Sequence, residues 1–187
     1  MTRPMPPLFQ PQDTLILVAL ADELPKPRLP QWRIAYTGVG KVNAAITAER
    51  EIASNRPKTI INFGTAGSLS PQHHGLVEVG RFFQRDMDVR ELGFALGQTP
   101  FEDNAPIDFG RDGLSCGTGD GFVTAPPELK TDLVDMEAYA IATSARDHQI
   151  DFYCFKYISD QADDAAATTW QENVQKGADL FVEMLEG

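Results

Sequence analysis

The stretch DFYCFKYIS, residues 151–159, is mostly aromatic or apolar and is followed directly by Asp160. A short run of this composition is typical of a strand that is buried on both faces. TLILVAL, residues 14–20, has the same character near the other end of the chain. The two runs predict central strands of one sheet, and an acid lies at the end of the later strand.

Further strands and helices alternate along the chain. We predict strands at 31–38, 57–67, 79–89 and 113–119, helices at 39–55, 136–148 and 169–187, and a loop at 97–113. This alternation favours an α/β fold, specifically a three-layer α/β/α sandwich around a mixed, mostly parallel central sheet. Residues 1–187 are expected to form one domain, of which 1–13 are an irregular, proline-rich lead-in.

The composition excludes several classes of partner. The formal net charge is −11, whereas proteins that bind nucleic acid or an anionic membrane surface need a basic face. No apolar run reaches the roughly 20 residues of a membrane-spanning helix, and the N-terminal segment lacks the hydrophobic core of a signal peptide. We therefore expect a cytoplasmic protein that binds neither nucleic acid nor membrane.

Acids follow three predicted strands or short apolar runs: Glu23, Glu137 and Asp160. The carboxyl ends of parallel strands meet at one edge of a sheet, where ligands bind, so these side chains are expected to share a cleft. Each also has an ordinary structural explanation, as a surface acid, an acid at a helix N-terminus or a cap of a turn. Together they favour hydrolysis, in which one group protonates the leaving group and another activates water.

No metal or cofactor site is predicted. His73 and His74 are adjacent, have no third ligand placed near them, and are interpreted as part of a solvated turn. GVGKV, residues 38–42, lacks the spacing of a phosphate-binding loop and the third glycine of a dinucleotide fingerprint. Cys116 and Cys154 lie in separate apolar runs and are interpreted as reduced core thiols.

Five motifs occur in an order that carries a family resemblance. They are YTGVGKVNAA (36–45), INFGTAGSL (61–69), GDGFV (119–123), VDMEAYAIA (134–142) and YISDQAD (157–163). Together they resemble the purine nucleoside phosphorylase and nucleosidase superfamily, and within it the 5′-methylthioadenosine/S-adenosylhomocysteine nucleosidases. The similarity runs from about residue 15 to the C-terminus.

The resemblance implies a role for each acid. Asp160 would be the general acid that protonates N7 of the purine, with Ser159 orienting it. Glu23 would be the base that activates water. Glu137 would bind the ribose hydroxyls, with Met136 against the sugar.

The resemblance also implies how the rest of a small purine nucleoside is held. Phe122 would stack on the base, Val123 would contact the base edge through its backbone, and Thr65 stands where the family more often has serine. The 5′ substituent would lie in a pocket lined by Leu20, Val39, Leu92, Phe94 and Trp170. In that family the pocket is completed across a homodimer interface, so a homodimer is expected.

Water is the favoured nucleophile, because phosphate is usually bound by arginine and the loops at 20–24 and 64–69 contain none. Lys41 is the only cation at 38–41. The favoured reaction is hydrolysis of 5′-methylthioadenosine or S-adenosylhomocysteine, with release of adenine. A phosphorylase that uses phosphate and a non-catalytic nucleoside binder remain the alternatives.

Departures from the family leave the base and the 5′ group open. Residues 24–32 and 99–119 are shorter than in typical members, which could open the 5′ pocket or alter the dimer. Lys156 stands where the family usually has arginine.

Overall fold

Each predicted strand and helix has a counterpart in the structure, with shifted ends. A computed structural model describes residues 9–101, 106–162 and 173–187. The strands are β1 (Thr14–Val18), β2 (Arg33–Tyr36), β3 (Thr59–Ser68), β4 (Leu76–Gln84), β5 (Ile107–Asp108), β6 (Leu114–Thr118), β7 (Leu133–Asp135) and β8 (Asp151–Asp160). The helices are α1 (Lys41–Asn55), α2 (Ala138–Asp147) and α3 (Lys176–Glu186), with 3₁₀ turns at Lys26–Arg28 and Arg90–Leu92.

The predicted loop at 97–113 was wrong at one point, because it contains β5. The two residues of β5 pair antiparallel with Arg81 and Phe82 at the edge of β4. A strand this short has no periodic pattern, so pairing rather than composition defines it. The first residues of the helix predicted at 169–187 lie outside the described part of the chain.

The eight-stranded sheet is organised around β3. One edge of β3 pairs in parallel with β1, which pairs in parallel with β2. The other edge pairs in parallel with β8, and β8 pairs antiparallel with β4. β4 continues in parallel to β6 and then β7, which returns antiparallel to the end of β3.

The mixed α/β class is therefore confirmed, and most of the strand pairings are parallel. The three-layer sandwich is not confirmed by these pairings, because β3, β8, β4, β6 and β7 close into a ring. None of the helices in the described part of the chain has the length and apolar composition of a membrane-spanning segment.

The apolar runs are buried on both sides, as their composition predicts. Leu15 and Leu17 of β1 belong to one core cluster with residues of α1 and α2. Ile16 and Val18, the alternate residues, belong to a second cluster with α3, in which Phe181 takes part. Complete burial of such side chains contributes roughly 1.5–3 kcal/mol each, so β1 is held rigidly from both faces.

The parallel strands β1, β3 and β8 end at the same edge of the sheet. Glu23 follows β1, and Asp160 is the last residue of β8. Gly67 of β3 makes room for this arrangement, since a Cβ there would lie 2.8 Å from Oδ1 of Asp160. The ends of these rigid strands therefore present acids to one cleft.

Candidate active site

A cavity of about 360 Å³ lies at this edge of the sheet. Its volume falls in the ordinary range for sites that bind small molecules. It is lined by Ala19, Leu20, Glu23, Val39, Thr65, Ala66, Gly67, Gly121, Phe122, Val123, Val134, Asp135, Met136, Glu137, Ser159 and Asp160. Every predicted site residue that the structure describes thus lines the cavity, except Leu92 and Phe94.

The three predicted acids meet in this cavity although they are far apart in sequence. Glu23 is 3% exposed, and Glu137 and Asp160 are each 7% exposed. Glu137 is brought in by β7, which ends at Asp135. Carboxylates buried to this degree need specific partners, because burial of an isolated charge is unfavourable.

Glu23 is held by the loops that follow β1 and by β3. Its Oε1 accepts hydrogen bonds from the backbone N–H and the hydroxyl of Thr65, both at 2.8 Å. Its Oε2 accepts one from the N–H of Leu20 at 3.1 Å. Gly64 leaves the space that the carboxylate occupies, since a Cβ there would lie 3.2 Å from Oε1. The carboxylate therefore has a fixed position on the cavity wall.

Asp160 is fixed by its immediate neighbours at the end of β8. The hydroxyl of Ser159 donates to Oδ2 at 2.7 Å, and the N–H of Ala162 donates to Oδ1 at 2.9 Å. Ser159 is itself buried. The predicted pairing of Ser159 with Asp160 is present, and it orients the carboxyl group toward the cavity that both residues line.

Glu137 connects the cavity to the start of α1. Its Oε1 accepts a hydrogen bond from the N–H of Gly40 at 2.9 Å. The pKa of Glu137 is raised to about 7, mainly by burial and then by the neighbouring charge of Asp135, against the opposing effects of Lys156 and the Gly40 N–H. Near neutral pH this side chain can therefore gain or lose a proton.

Behind Glu137 lies a buried ion pair that the sequence did not reveal as a pair. Nζ of Lys156 is 2.8 Å from Oδ2 of Asp135, and each side chain is 1% exposed. Oδ2 of Asp135 also accepts the N–H of Ala138 at 2.8 Å, which fixes the start of α2. Burial alone would lower the pKa of Lys156, but the Asp135 carboxylate holds it above its ordinary value.

Apolar side chains form the rest of the cavity wall. Phe122 and Val39 are only partly covered and retain exposed surface. Leu20, Val123 and Met136 complete the apolar lining. A planar, apolar ring could be enclosed between these walls while its polar atoms face the carboxyl groups.

Two described residues that were predicted for the 5′ pocket, Leu92 and Phe94, lie outside the cavity lining. Leu92 does not line the cavity and is 71% exposed. Phe94 also lies outside the lining, and its ring packs edge-on against Phe101 with centroids 5.6 Å apart. Trp170 lies outside the described residues.

No metal-binding cluster is present among the described residues. No lysine, arginine or histidine lines the cavity within that part of the chain. Lys156 is paired with Asp135, and the ammonium of Lys41 is hydrogen-bonded to Asp86. The described surface of the cavity is therefore apolar and acidic.

Comparisons with known proteins agree with this architecture. Residues 31–109 and 115–186 match the phosphorylase superfamily. The chain belongs to that superfamily. The resemblance carried by the sequence motifs is thereby confirmed.

Two relatives illustrate the similarity in sequence within the phosphorylase superfamily. The chain is 30% identical to the 5′-methylthioadenosine/S-adenosylhomocysteine nucleosidase of Listeria welshimeri, over 80% of this chain and 79% of that protein. It is 28% identical to the enzyme of the same name from Marinomonas sp., over 81% of this chain and 79% of the relative.

Solved structures show the shared fold. Futalosine hydrolase of Helicobacter pylori has a TM-score of 0.84 at 21% identity and covers 92% of this chain and 95% of its own. The 5′-methylthioadenosine/S-adenosylhomocysteine nucleosidase of Colwellia psychrerythraea, solved with adenine, has a TM-score of 0.82 at 20% identity, over 95% and 96% of the two chains.

Proposed function

We propose that the protein hydrolyses the N-glycosidic bond of a purine nucleoside, namely 5′-methylthioadenosine or S-adenosylhomocysteine, and releases adenine. The observation that carries this proposal is the meeting of three buried carboxyl groups, Glu23, Glu137 and Asp160, in one cavity. The names of its relatives supply the substrate class.

In the proposed mechanism, Asp160 donates a proton to N7 of the purine. The bond between N9 and C1′ then breaks with its electron pair passing to the base, which leaves as neutral adenine. Positive charge develops on the sugar, as in other glycoside hydrolysis. Water attacks C1′, and its proton passes to Glu23, whose position is fixed by Thr65 and Leu20.

Glu137 is proposed to hold the ribose hydroxyls, with Met136 against the sugar. Its ionised form can accept two such hydrogen bonds, whereas the protonated form loses part of that capacity. Because the pKa of Glu137 is raised to about 7, substrate affinity should improve as the pH rises through neutrality. A negative charge beside the sugar also stabilises the developing cation.

Water rather than phosphate is the proposed nucleophile. A phosphate dianion would enter a cavity whose described lining has acids and no cation. The segments outside the described residues at 102–105 and 163–172 contain no lysine or arginine either. A phosphate site would therefore need a cation from Arg3, from a rearranged side chain or from another subunit.

We also propose that the protein is a cytoplasmic homodimer, in which the 5′ pocket is completed by the partner. Leu92 and Phe101 are strongly exposed for apolar residues, as are Val42 and Ile46 on α1. Val42 and Ile46 are one helical turn apart and share a face of α1, and neighbouring exposed apolar side chains of this kind are typical of interaction sites. In this arrangement Leu92 and Phe94 would reach the cavity of the other subunit.

The test is base release from methylthioadenosine, S-adenosylhomocysteine, adenosine, inosine, guanosine and futalosine, each with and without phosphate. Release of adenine from the two thio-substituted compounds without phosphate is the expected result. Release that requires phosphate would identify a phosphorylase. Binding without release from every compound would identify a nucleoside-binding protein, and either result would overturn the proposal.

A further inference from the structure

Three charged residues, Lys41, Asp86 and Asp120, form a closed ring of contacts beside the cavity, called the charged ring below. The proposed chemistry does not use them. Lys41, the first residue of α1, contacts Asp86 through its ammonium group. The backbone N–H of Lys41 donates to Oδ1 of Asp120 at 2.8 Å, and Nζ lies 3.6 Å from Oδ2 of the same residue. The N–H of Asp120 in turn donates to Oδ2 of Asp86 at 2.9 Å. Three separate segments are thereby joined at one point.

The ring is sheltered from solvent on the lysine side. The side chain of Lys41 is 16% exposed, so its charge is only partly hydrated. Partial burial alone would raise the pKa of Asp86, but the hydrogen bonds from Lys41 and Asp120 outweigh this effect and hold the pKa below its ordinary value. Hydrogen bonds to charged groups are stronger than those between neutral groups, most of all where water is partly excluded.

The segment that the ring holds forms one wall of the cavity. Gly121, Phe122 and Val123 follow Asp120 directly and line the cavity. From 119 to 132 the chain forms no helix or strand, so side-chain contacts have a large share in fixing this wall. Arg85 supplies a second tie, from its Nη2 to the carbonyl oxygen of Gly121 at 2.9 Å.

Another part of the cavity wall is attached to the same lysine. Val39 lines the cavity two residues before Lys41, and between them the N–H of Gly40 is bonded to Glu137. Gly40 has φ of 95°, and a Cβ there would lie 3.1 Å from Oδ1 of Asp120. The glycine thus permits both the backbone conformation and the close approach of Asp120.

We propose that Lys41 is a positioning residue for base recognition: by joining Asp86 and Asp120 to the start of α1, it sets the distance between Val39 and the Phe122–Val123 wall. This inference rests on the proposed function, in which Phe122 and Val123 hold the purine. Lys41 acts through these residues and does not itself line the described part of the cavity.

The main variant is Lys41→Met, which keeps the stem of the side chain and removes its charge. The dissociation constant of adenine, measured by calorimetry, should rise about tenfold, as should KM, while kcat changes less than about threefold. Lys41→Arg keeps a cation and should recover most of the affinity. Lys58→Met is the matched control. In the wild type the ammonium of Lys58 lies 3.1 Å from Oδ2 of Asp13, far from the cavity, and the Lys58 side chain is 77% exposed.

Hydrogen exchange in the ligand-free protein tests whether the charged ring of Lys41, Asp86 and Asp120 holds the cavity wall, and it needs no substrate. Amides at 119–123 should exchange faster in Lys41→Met than in the wild type or in Lys58→Met. Asp86→Asn should give the same result and serves if Lys41→Met does not fold. Unchanged exchange in this segment, an equal effect of Lys58→Met, or a fall in kcat with unchanged KM would each overturn the proposal.

A failure of the proposed function would give a different result in the base-release assay. In that case the wild-type protein would release no base from any nucleoside, whereas the exchange measurement would still decide whether Lys41 holds the wall.

Discussion

Replacement of Lys156 by methionine is expected to destabilise the protein strongly. Methionine keeps most of the volume of the side chain but leaves the Asp135 carboxylate, itself 1% exposed, without its cation. Hydrogen bonds from Thr118 and Ala138 remain, but they do not neutralise the charge. Removal of one partner from a buried ion pair costs about 3–5 kcal/mol.

This loss would be a large fraction of the total stability of an ordinary domain, which is roughly 5–15 kcal/mol. For a chain of this size it corresponds to a fall in Tm of about 6–20 °C. The assay is urea and thermal unfolding at pH 7, followed by circular dichroism. Lys58→Met, at an exposed ion pair, should change the free energy of unfolding by less than about 1 kcal/mol.

The double variant Lys156→Met, Asp135→Asn should recover part of the loss, since it removes the unpaired charge. A destabilisation by Lys156→Met of less than about 1 kcal/mol would refute the reasoning, because it would mean that the two groups are not a buried charged pair. The single variant should also raise the pKa of Glu137 further, since Lys156 opposes that rise. The pH at which substrate affinity improves should therefore shift upward.

Four further predictions concern the cavity itself. Because the pKa of Glu137 is raised from 4.5 to about 7, the free energy of unfolding of the wild type should rise as the pH falls from about 7 to 4.5. Glu137→Gln should abolish that rise, measured as urea midpoints, should increase the free energy of unfolding at pH 8 by up to about 3 kcal/mol, and should weaken substrate binding. A rise that persists in the variant would contradict the assignment. Asp160→Asn should lower kcat by roughly 10²–10⁴-fold in a base-release assay. Asp151, which is exposed at the other end of β8, supplies the control, and Asp151→Asn should leave kcat unchanged. Near-normal turnover by Asp160→Asn would contradict the role of Asp160 as general acid. Glu23→Gln should lose turnover but still bind purine nucleoside in calorimetry, and loss of binding would assign Glu23 to recognition instead. Gly67→Ala would place a Cβ 2.8 Å from Oδ1 of Asp160 and should therefore displace that carboxyl group. The kcat should fall by about 100-fold while the circular dichroism spectrum stays unchanged. An unchanged kcat would mean that the present position of the Asp160 carboxyl group is not required for turnover.

The meeting of the acids could be predicted because it depends on a rule about strands. Glu23 and Asp160 follow apolar runs, and parallel strands bring their carboxyl ends to one edge whatever the details of the topology. The hydrogen bonds to Asp160 also come from residues nearby in sequence, Ser159 and Ala162. Local sequence and a general rule therefore sufficed for this part of the site.

The buried ion pair could not be predicted in the same way. A lysine within the apolar stretch DFYCFKYIS indicates that some partner exists, since a buried cation needs one. Its partner, Asp135, ends β7, which is not a direct neighbour of β8; both strands pair with β3. The same long-range pairing closes the ring of strands, and nothing in the hydrophobic pattern distinguishes a closed ring from an open sheet.

The arrangement of charge explains why the cleft can be acidic and still fold. Asp135 is neutralised by Lys156, Glu23 accepts two backbone N–H groups, and Glu137 can take up a proton near neutral pH. Each acid thus has its own means of reducing the unfavourable effect of burial, and none of them requires a cation on the cavity surface. The same absence of surface cations among the described lining residues would disfavour a phosphate dianion and stabilise a positively charged sugar. Preference for water and stabilisation of the transition state would then have one physical origin, the negative charge of a cavity whose described lining holds no cation.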